Sequence, residues 1–328
     1  MKKSSLLYLI IVQLIIIIFL GYNIHSRTWK NSSTSVSVNF IKKGAIIFTS
    51  NQELKYFFEP RASTTIEDKV EWLSFIPKYT INSDSLNEQA NYSISKPKNT
   101  FRIITLGDSF TYGQYVNTED NWSSLLEKKL NNLFICKDMN KFEVINLGVP
   151  GYDIKYSVKR FELRGEKYDP DLVIWFLKDD DFNIINEYFI PKEQELVHQL
   201  DFDINNPSEF DSKNGGPIIF LKIIEEIKKE LGDKIFIDYQ TNALKKMNTL
   251  YKKKLLIITF PTTNIQYQSI MEKFVVSRQN GYLYKNLTNI YKIDGLFFLD
   301  GHPNLKGHQV IANDLFNYLI KNKIISCN

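Results

Sequence analysis

Four short runs in this chain hold side chains able to do chemistry. The first is Gly107-Asp108-Ser109-Phe110-Thr111-Tyr112-Gly113, in which a serine hydroxyl sits in a turn between glycines that permit tight backbone bends. A hydroxyl is a poor nucleophile until a base removes its proton. The histidines able to do so are His25, His198, His302 and His308. His302 lies in Asp300-Gly301-His302-Pro303-Asn304, where a nearby carboxylate can hold the imidazole tautomer and stabilise the imidazolium. His308 follows in a helix-like run and reads as structural. The third run, Asn146-Leu147-Gly148-Val149-Pro150-Gly151, places a glycine just past an apolar stretch, where its N–H can face a developing oxyanion. The fourth, Asp179-Asp180-Asp181, is a block of carboxylates. Each run also has a plain structural use. Ser109 could cap a helix, Gly148 could be a turn glycine, and His302 could face solvent. The aspartates could form a solvated turn or hold a hard cation.

These pieces need a scaffold that gathers them, and the pattern from residue 101 supplies one. Phe101–Leu106, Phe142–Leu147, Asp171–Leu177 and Lys254–Phe260 are apolar runs of strand length, and Leu296–Leu299 is a shorter one. Trp122–Leu133 has its apolar residues at helical spacing, and Leu305–Ile320 reads as a C-terminal helix. Near-continuous apolar strands alternating with helices indicate an α/β chain with a parallel sheet covered on both faces. In such sheets ligands bind at the carboxyl ends of the strands, where all four chemical runs fall. Residues 182–250 are too long for a simple crossover before the fourth strand. Their polar patch and helical runs at Ile218–Leu231 and Ile237–Tyr251 predict an insertion or lid.

The chain has 328 residues, of which 43% are hydrophobic and 24% charged, which suits a protein with a substantial core. A net charge of +4 gives no reason to expect a nucleic-acid partner. Lys2 and Lys3 precede an apolar run from Leu6 to Leu20, and Leu6 to Tyr22 as a helix would span roughly 25 Å. No small-residue cleavage pattern follows, so residues 1–24 are expected to be an uncleaved transmembrane anchor. The lysines favour a cytoplasmic N-terminus and an extracytoplasmic catalytic domain, although Arg27 and Lys30 weaken the bias. Residues 25–98, polar and rich in Ser, Thr and Asn, read as a stalk and a small preface packed on a main domain at 99–328. Cys136 and Cys327 form no metal-type motif and could pair or stay free.

The three runs GDSFTYG, NLGVPG and DGHPNLKGH, in that order, resemble the blocks of the SGNH (GDSL-type) hydrolases over roughly residues 99–322, and Thr80–Asp84 is similar to a lead-in of membrane-anchored bacterial members. The resemblance implies a three-layer α/β/α, flavodoxin-like fold. It implies Ser109 as nucleophile, Asp300 and His302 as the rest of a triad, and the N–H groups of Ser109 and Gly148 as an oxyanion hole, with no cofactor or metal. The family's third block usually carries an asparagine that donates to the oxyanion, and here that slot is read at Asp179 or Asp180, with Asn183 as another donor. Many members also place the aspartate three residues before the histidine, where this chain has Leu299. The implied activity is hydrolysis of an O-acyl or O-acetyl ester on a small molecule, a lipid or an envelope glycan, through an acyl-serine. Two alternatives remain: an O-acyltransferase acting on an envelope polysaccharide, and a non-catalytic glycan-binding member.

Overall fold

The structure, a computed structural model, describes residues 46–49, 51–70, 72–133, 141–199 and 216–325. The expected anchor at 1–24, the stalk residues before 46, Cys136 and Cys327 lie outside the described residues. Among the described residues no helix is long and apolar enough to cross a membrane.

Nine strands are described. Four are short and precede the main domain: β1 (Ile46–Phe48) pairs antiparallel with β2 (Phe58–Pro60), and β3 (Thr64–Glu67) pairs antiparallel with β4 (Lys78–Ile81). The other five form one parallel sheet: β5 (Thr100–Leu106), β6 (Lys141–Asn146), β7 (Leu172–Phe176), β8 (Lys254–Ile258) and β9 (Gly281–Tyr284). Their order is β6-β5-β7-β8-β9, the flavodoxin-like arrangement. The chain leaves β5 toward β6 and crosses back to β7, so the crevice at the carboxyl ends of β5 and β7 is the switch point where such sheets bind ligands.

Alternation along the strands makes two cores. In β7, Leu172, Ile174 and Phe176 face one layer and Val173 and Trp175 the other, because successive side chains point to opposite faces. The first layer holds Trp122, Leu126 and Leu130 of α2 (Trp122–Leu133) and Ile311, Leu315 and Leu319 of α8 (Leu305–Lys321). The second holds Ile154 and Val158 of α3 (Ile154–Arg160), Leu244 and Met247 of α6 (Gly216–Leu250), and Met271 and Phe274 of α7 (Ile265–Val276).

The region before β8 divides into two parts. Gly232 breaks α6 with non-helical dihedrals. Its second half covers the sheet as an ordinary crossover helix, which is why that part of the expected insertion is integral to the core. Its first half and α5 (Asn186–Gln199) build a separate cluster from Ile184, Phe189, Phe220, Ile223, Ile224 and Ile227. Asp153, just after the β6 turn, ties these parts together by accepting from the Asn186 N–H at 2.8 Å and the Tyr239 hydroxyl at 3.1 Å. Two strand expectations change. Leu296–Leu299 makes only an isolated bridge, Phe297 with Pro303, while β9, unremarkable in sequence, closes the sheet. β9 reads Gly-Tyr-Leu-Tyr and is half-buried throughout, so it lacks the apolar run that marks the inner strands.

The described part of the preface is folded onto the main domain. Leu54, Phe57, Phe58, Tyr79 and Ile81 share a buried cluster with Tyr112, Val149, Tyr152 and Tyr156. Asn87 donates to the Tyr112 carbonyl at 2.8 Å, and Glu59 pairs with the buried guanidinium of Arg160 and with Arg164. Glu88 is buried and accepts from the Asn146 N–H at 2.8 Å and the Tyr92 hydroxyl at 3.2 Å. Burial pushes its carboxyl up to about 8; the Asn146 N–H opposes this and Glu127 adds to it. A carboxyl raised on folding contributes stability that is full below its unfolded value of 4.5 and is lost as pH rises through about 8. Glu88→Gln keeps an acceptor for Asn146 but cannot ionise. Its melting temperature should match the parent near pH 5 and exceed it by several degrees at pH 9, as read by thermal denaturation across that range.

Candidate active site

Ser109 opens α1 (Ser109–Tyr112), directly beyond β5. Asp108 is its N-cap: Oδ1 accepts from the Phe110 N–H at 3.0 Å. Gly107 makes the bend with φ of +147°, and a Cβ there would lie 2.4 Å from Thr111 Oγ1 and 2.9 Å from the Phe176 carbonyl. The cap role open to Ser109 thus falls to its neighbour, leaving the serine hydroxyl to face His302.

His302 arrives from the other end of the chain. The Phe297–Pro303 bridge and a Phe298 N–H to His302 carbonyl bond of 2.8 Å close a tight turn around Asp300 and Gly301. Asp300 grips His302 twice, Oδ1 accepting its backbone N–H at 3.1 Å and Oδ2 standing 2.8 Å from Nδ1. His302 Nε2 is 2.9 Å from Ser109 Oγ. Ser109, His302 and Asp300 therefore form one hydrogen-bonded line of buried groups. The spacing of two residues suffices because the turn folds the carboxylate back onto Nδ1. Leu299, three residues before the histidine, is 72% exposed. Aromatic rings fix the imidazole, with Tyr115 edge-on at 5.2 Å and Phe110 at 5.6 Å. Tyr115 has a positive φ of 67°, and its N–H donates to the buried Tyr79 hydroxyl at 2.8 Å, so the preface helps hold the ring that flanks His302.

His308 serves the scaffold. Its Nδ1 accepts from the Trp122 N–H at the start of α2, and burial drives its ring down to about 3, keeping it neutral.

Gly148 has a partner that its sequence position did not reveal. Its N–H donates to Asn146 Oδ1 at 2.9 Å, and Asn146 Nδ2 in turn donates to the Thr111 carbonyl at 2.8 Å. A Cβ on Gly148 would lie 2.4 Å from the Tyr112 nitrogen. Glycine is required here by the close approach of the β6 turn to α1, and its N–H reaches an oxyanion only by sharing with, or releasing, Asn146. The Ser109 N–H, in the first turn of α1, belongs to the set that a helix leaves without intrahelical acceptors.

The aspartate run opens a short helix, α4 (Asp179–Asn183), and its side chains diverge. Asp179 Oδ1 accepts from the Asn264 N–H, Asp180 Oδ2 from Lys178 Nζ, and Asp181 Oδ2 from the Lys178 N–H. Burial pushes the carboxyls of Asp179 and Asp181 up. Asn183 Oδ1 accepts from Lys228 and Tyr267. The side chain after β7 that reaches the carboxyl end of β5 is Lys178, whose Nζ meets Asp108 Oδ2 at 2.8 Å. Asp180, the position expected to stand at the oxyanion, pairs with that same ammonium at 2.6 Å. Among the described residues no group of three or more His, Cys, Asp or Glu is placed to hold a metal ion.

A family model described as GDSL-like Lipase/Acylhydrolase matches residues 103–315, which span both Ser109 and His302. No curated protein matches the chain by sequence. Solved structures with a similar course include the psychrotrophic esterase EstA from Pseudoalteromonas sp., 18% identical over 67% of this chain and 97% of that one, with a TM-score of 0.41. The lipase/acylhydrolase from Enterococcus faecalis is 13% identical over 68% of this chain and 96% of its own, with a TM-score of 0.41. A two-domain esterase active on acetylated mannans is 17% identical over 70% of this chain, with a TM-score of 0.41, and this chain spans about half of its length, 51%. These likenesses are remote, and the assignment rests on the long family match. The chain belongs to the GDSL-like lipase/acylhydrolase family and is a serine hydrolase of that family.

Proposed function

We propose that this chain is a membrane-anchored, extracytoplasmic esterase that cleaves an O-acyl or O-acetyl ester on an envelope glycan or a lipid through an acyl intermediate on Ser109. The observation that carries the reading is the hydrogen-bonded line from Ser109 Oγ through His302 to Asp300. In it His302 Nε2 takes the hydroxyl proton as Oγ attacks the ester carbonyl, and Asp300 stabilises the imidazolium. Backbone N–H groups at Ser109 and Gly148 receive the oxyanion, the latter by loosening from Asn146. As the tetrahedral adduct collapses, His302 gives its proton to the departing alkoxide. Water then repeats the sequence, and the acid leaves.

Trp72, Phe75 and Phe298 form a ring cluster beside Tyr115 and His302, with Phe75 exposed, and such faces suit a sugar ring or an acyl chain. The apolar run Leu6–Leu20 supports the anchor, and the lysines before it support an extracytoplasmic domain. The full-length protein, given an acetylated oligosaccharide with and without a second, unacetylated one, should release free acetate at the same rate in both. Acetate appearing only on the second sugar would instead identify an acyltransferase, and no turnover in either would favour a binding protein.

A further inference from the structure

The floor of the site contains a charge that the triad does not explain. Lys178 Nζ is almost wholly buried at the switch point, 2.8 Å from Asp108 Oδ2, 2.6 Å from Asp180 Oδ2 and 4.8 Å above the Phe110 ring. Burial alone would favour a neutral amine, but Asp108, Asp180 and Asp181 face it and hold it well above the usual lysine range. Tyr291 also faces this group. Its partner Asp108 Oδ2 stands 3.5 Å from Ser109 Oγ, on which His302 Nε2 also closes at 2.9 Å. The serine has one proton and two acceptors within reach. Only transfer to His302 leads to chemistry. A proton directed at Asp108 would leave Nε2 without its donor and a carboxylate beside the forming oxyanion.

We propose that Lys178 is a positioning residue: by pairing with Asp108 it keeps that carboxylate from competing with His302 for the Ser109 proton, and it offsets the carboxylate's charge beside the tetrahedral adduct. This rests on the reading of Ser109 as nucleophile. Lys178 acts through Asp108, so its importance depends on the negative charge there. With Asp108 ionised, loss of the ammonium exposes the carboxylate. With Asp108 made neutral, the ammonium has little left to do. Lys178→Arg retains the positive charge and most of the effect.

The test is a double-mutant cycle on the full-length protein, read as kcat and KM on p-nitrophenyl acetate. Lys178→Met should lower kcat about 10²-fold with little change in KM, the scale of losing one electrostatic contribution to the transition state. Lys178→Arg should retain kcat within tenfold of the parent, a rescue that a merely space-filling role would not give. Adding Asp108→Asn to Lys178→Met should bring the rate to within tenfold of Asp108→Asn alone. If the double variant instead falls 10²-fold or more below Asp108→Asn, the lysine acts directly on the reacting atoms and the proposal is overturned. Parental kcat in Lys178→Met would overturn it as well. Should Lys178→Met not fold, the comparison between Asp108→Asn and the double variant decides alone, because that pair removes both charges together. Fluorophosphonate labelling of the parent at Ser109 separates the two claims: labelled parent with a failed cycle refutes only the role of Lys178, whereas an unlabelled parent refutes the reading beneath it.

Discussion

Replacing Ser109 with alanine is expected to lower kcat on an activated ester by roughly 10⁶-fold while leaving the fold intact. The size follows from what the hydroxyl supplies. Without Oγ no acyl-enzyme forms, and the remaining groups can only polarise a carbonyl that water must attack unaided. The fold should survive because Asp108, and not Ser109, caps α1, and because the Ser109 backbone bonds to Gly113 and Gln114 do not involve the side chain. Steady-state hydrolysis of p-nitrophenyl acetate, beside a thermal melt, measures both halves. A variant with a parental melt and a rate within tenfold of the parent would show that another group does the chemistry.

Asp300→Asn should cost about 10⁴-fold in kcat. Asp300 Oδ2 accepts from His302 Nδ1–H, which leaves Nε2 bare to take the serine proton. An asparagine amide facing Nδ1 donates instead, so the proton moves to Nε2 and the base is lost with the geometry preserved. Asp300 Oδ1 also accepts the His302 N–H, an acceptor that the asparagine carbonyl can retain while its amide faces the ring. The expected signature is a loss in kcat with nearly unchanged KM and an unchanged melting temperature. A loss below tenfold would mean that the carboxylate does not set the tautomer.

The sequence carried the parts that depend on local chemistry. The inner strands announced themselves because each is buried on both faces and so nearly continuously apolar, as Leu172–Phe176 shows. Ser109, Asp300 and His302 were legible because few residue types can activate a hydroxyl, and only one histidine lay near a carboxylate in a loop before a helix. What stayed hidden depended on tertiary approach. β9 is an edge strand of Gly and Tyr with no periodic signal. Asn146 reaches Gly148 only two residues on, but its amide is held by the Thr111 carbonyl of α1, a contact between segments far apart in the chain. Lys178 was passed over for its acidic neighbours. Nothing in a Lys-Asp-Asp-Asp string says which side chain turns inward, and the answer came from Asp108, the α1 cap just beyond the adjacent strand. A preface packed on the main domain was legible, but its hairpins at β1–β4 were not, because their strands are only three or four residues long and lie among polar residues. Their aromatic residues find partners in Tyr112, Tyr152 and Tyr156 of the main domain, and those of the β3–β4 connection in Tyr115 and Phe298.

The most direct test of the central claim is covalent. The full-length protein in detergent is treated with a fluorophosphonate probe, digested, and the modified peptide sequenced by mass spectrometry. A nucleophilic Ser109 activated by His302 predicts one phosphonylated site, in the peptide containing Gly107-Asp108-Ser109, absent in Ser109→Ala and strongly slowed in His302→Ala. Folded parent protein that remains unmodified, or labelling that persists at another serine in Ser109→Ala, would contradict the account.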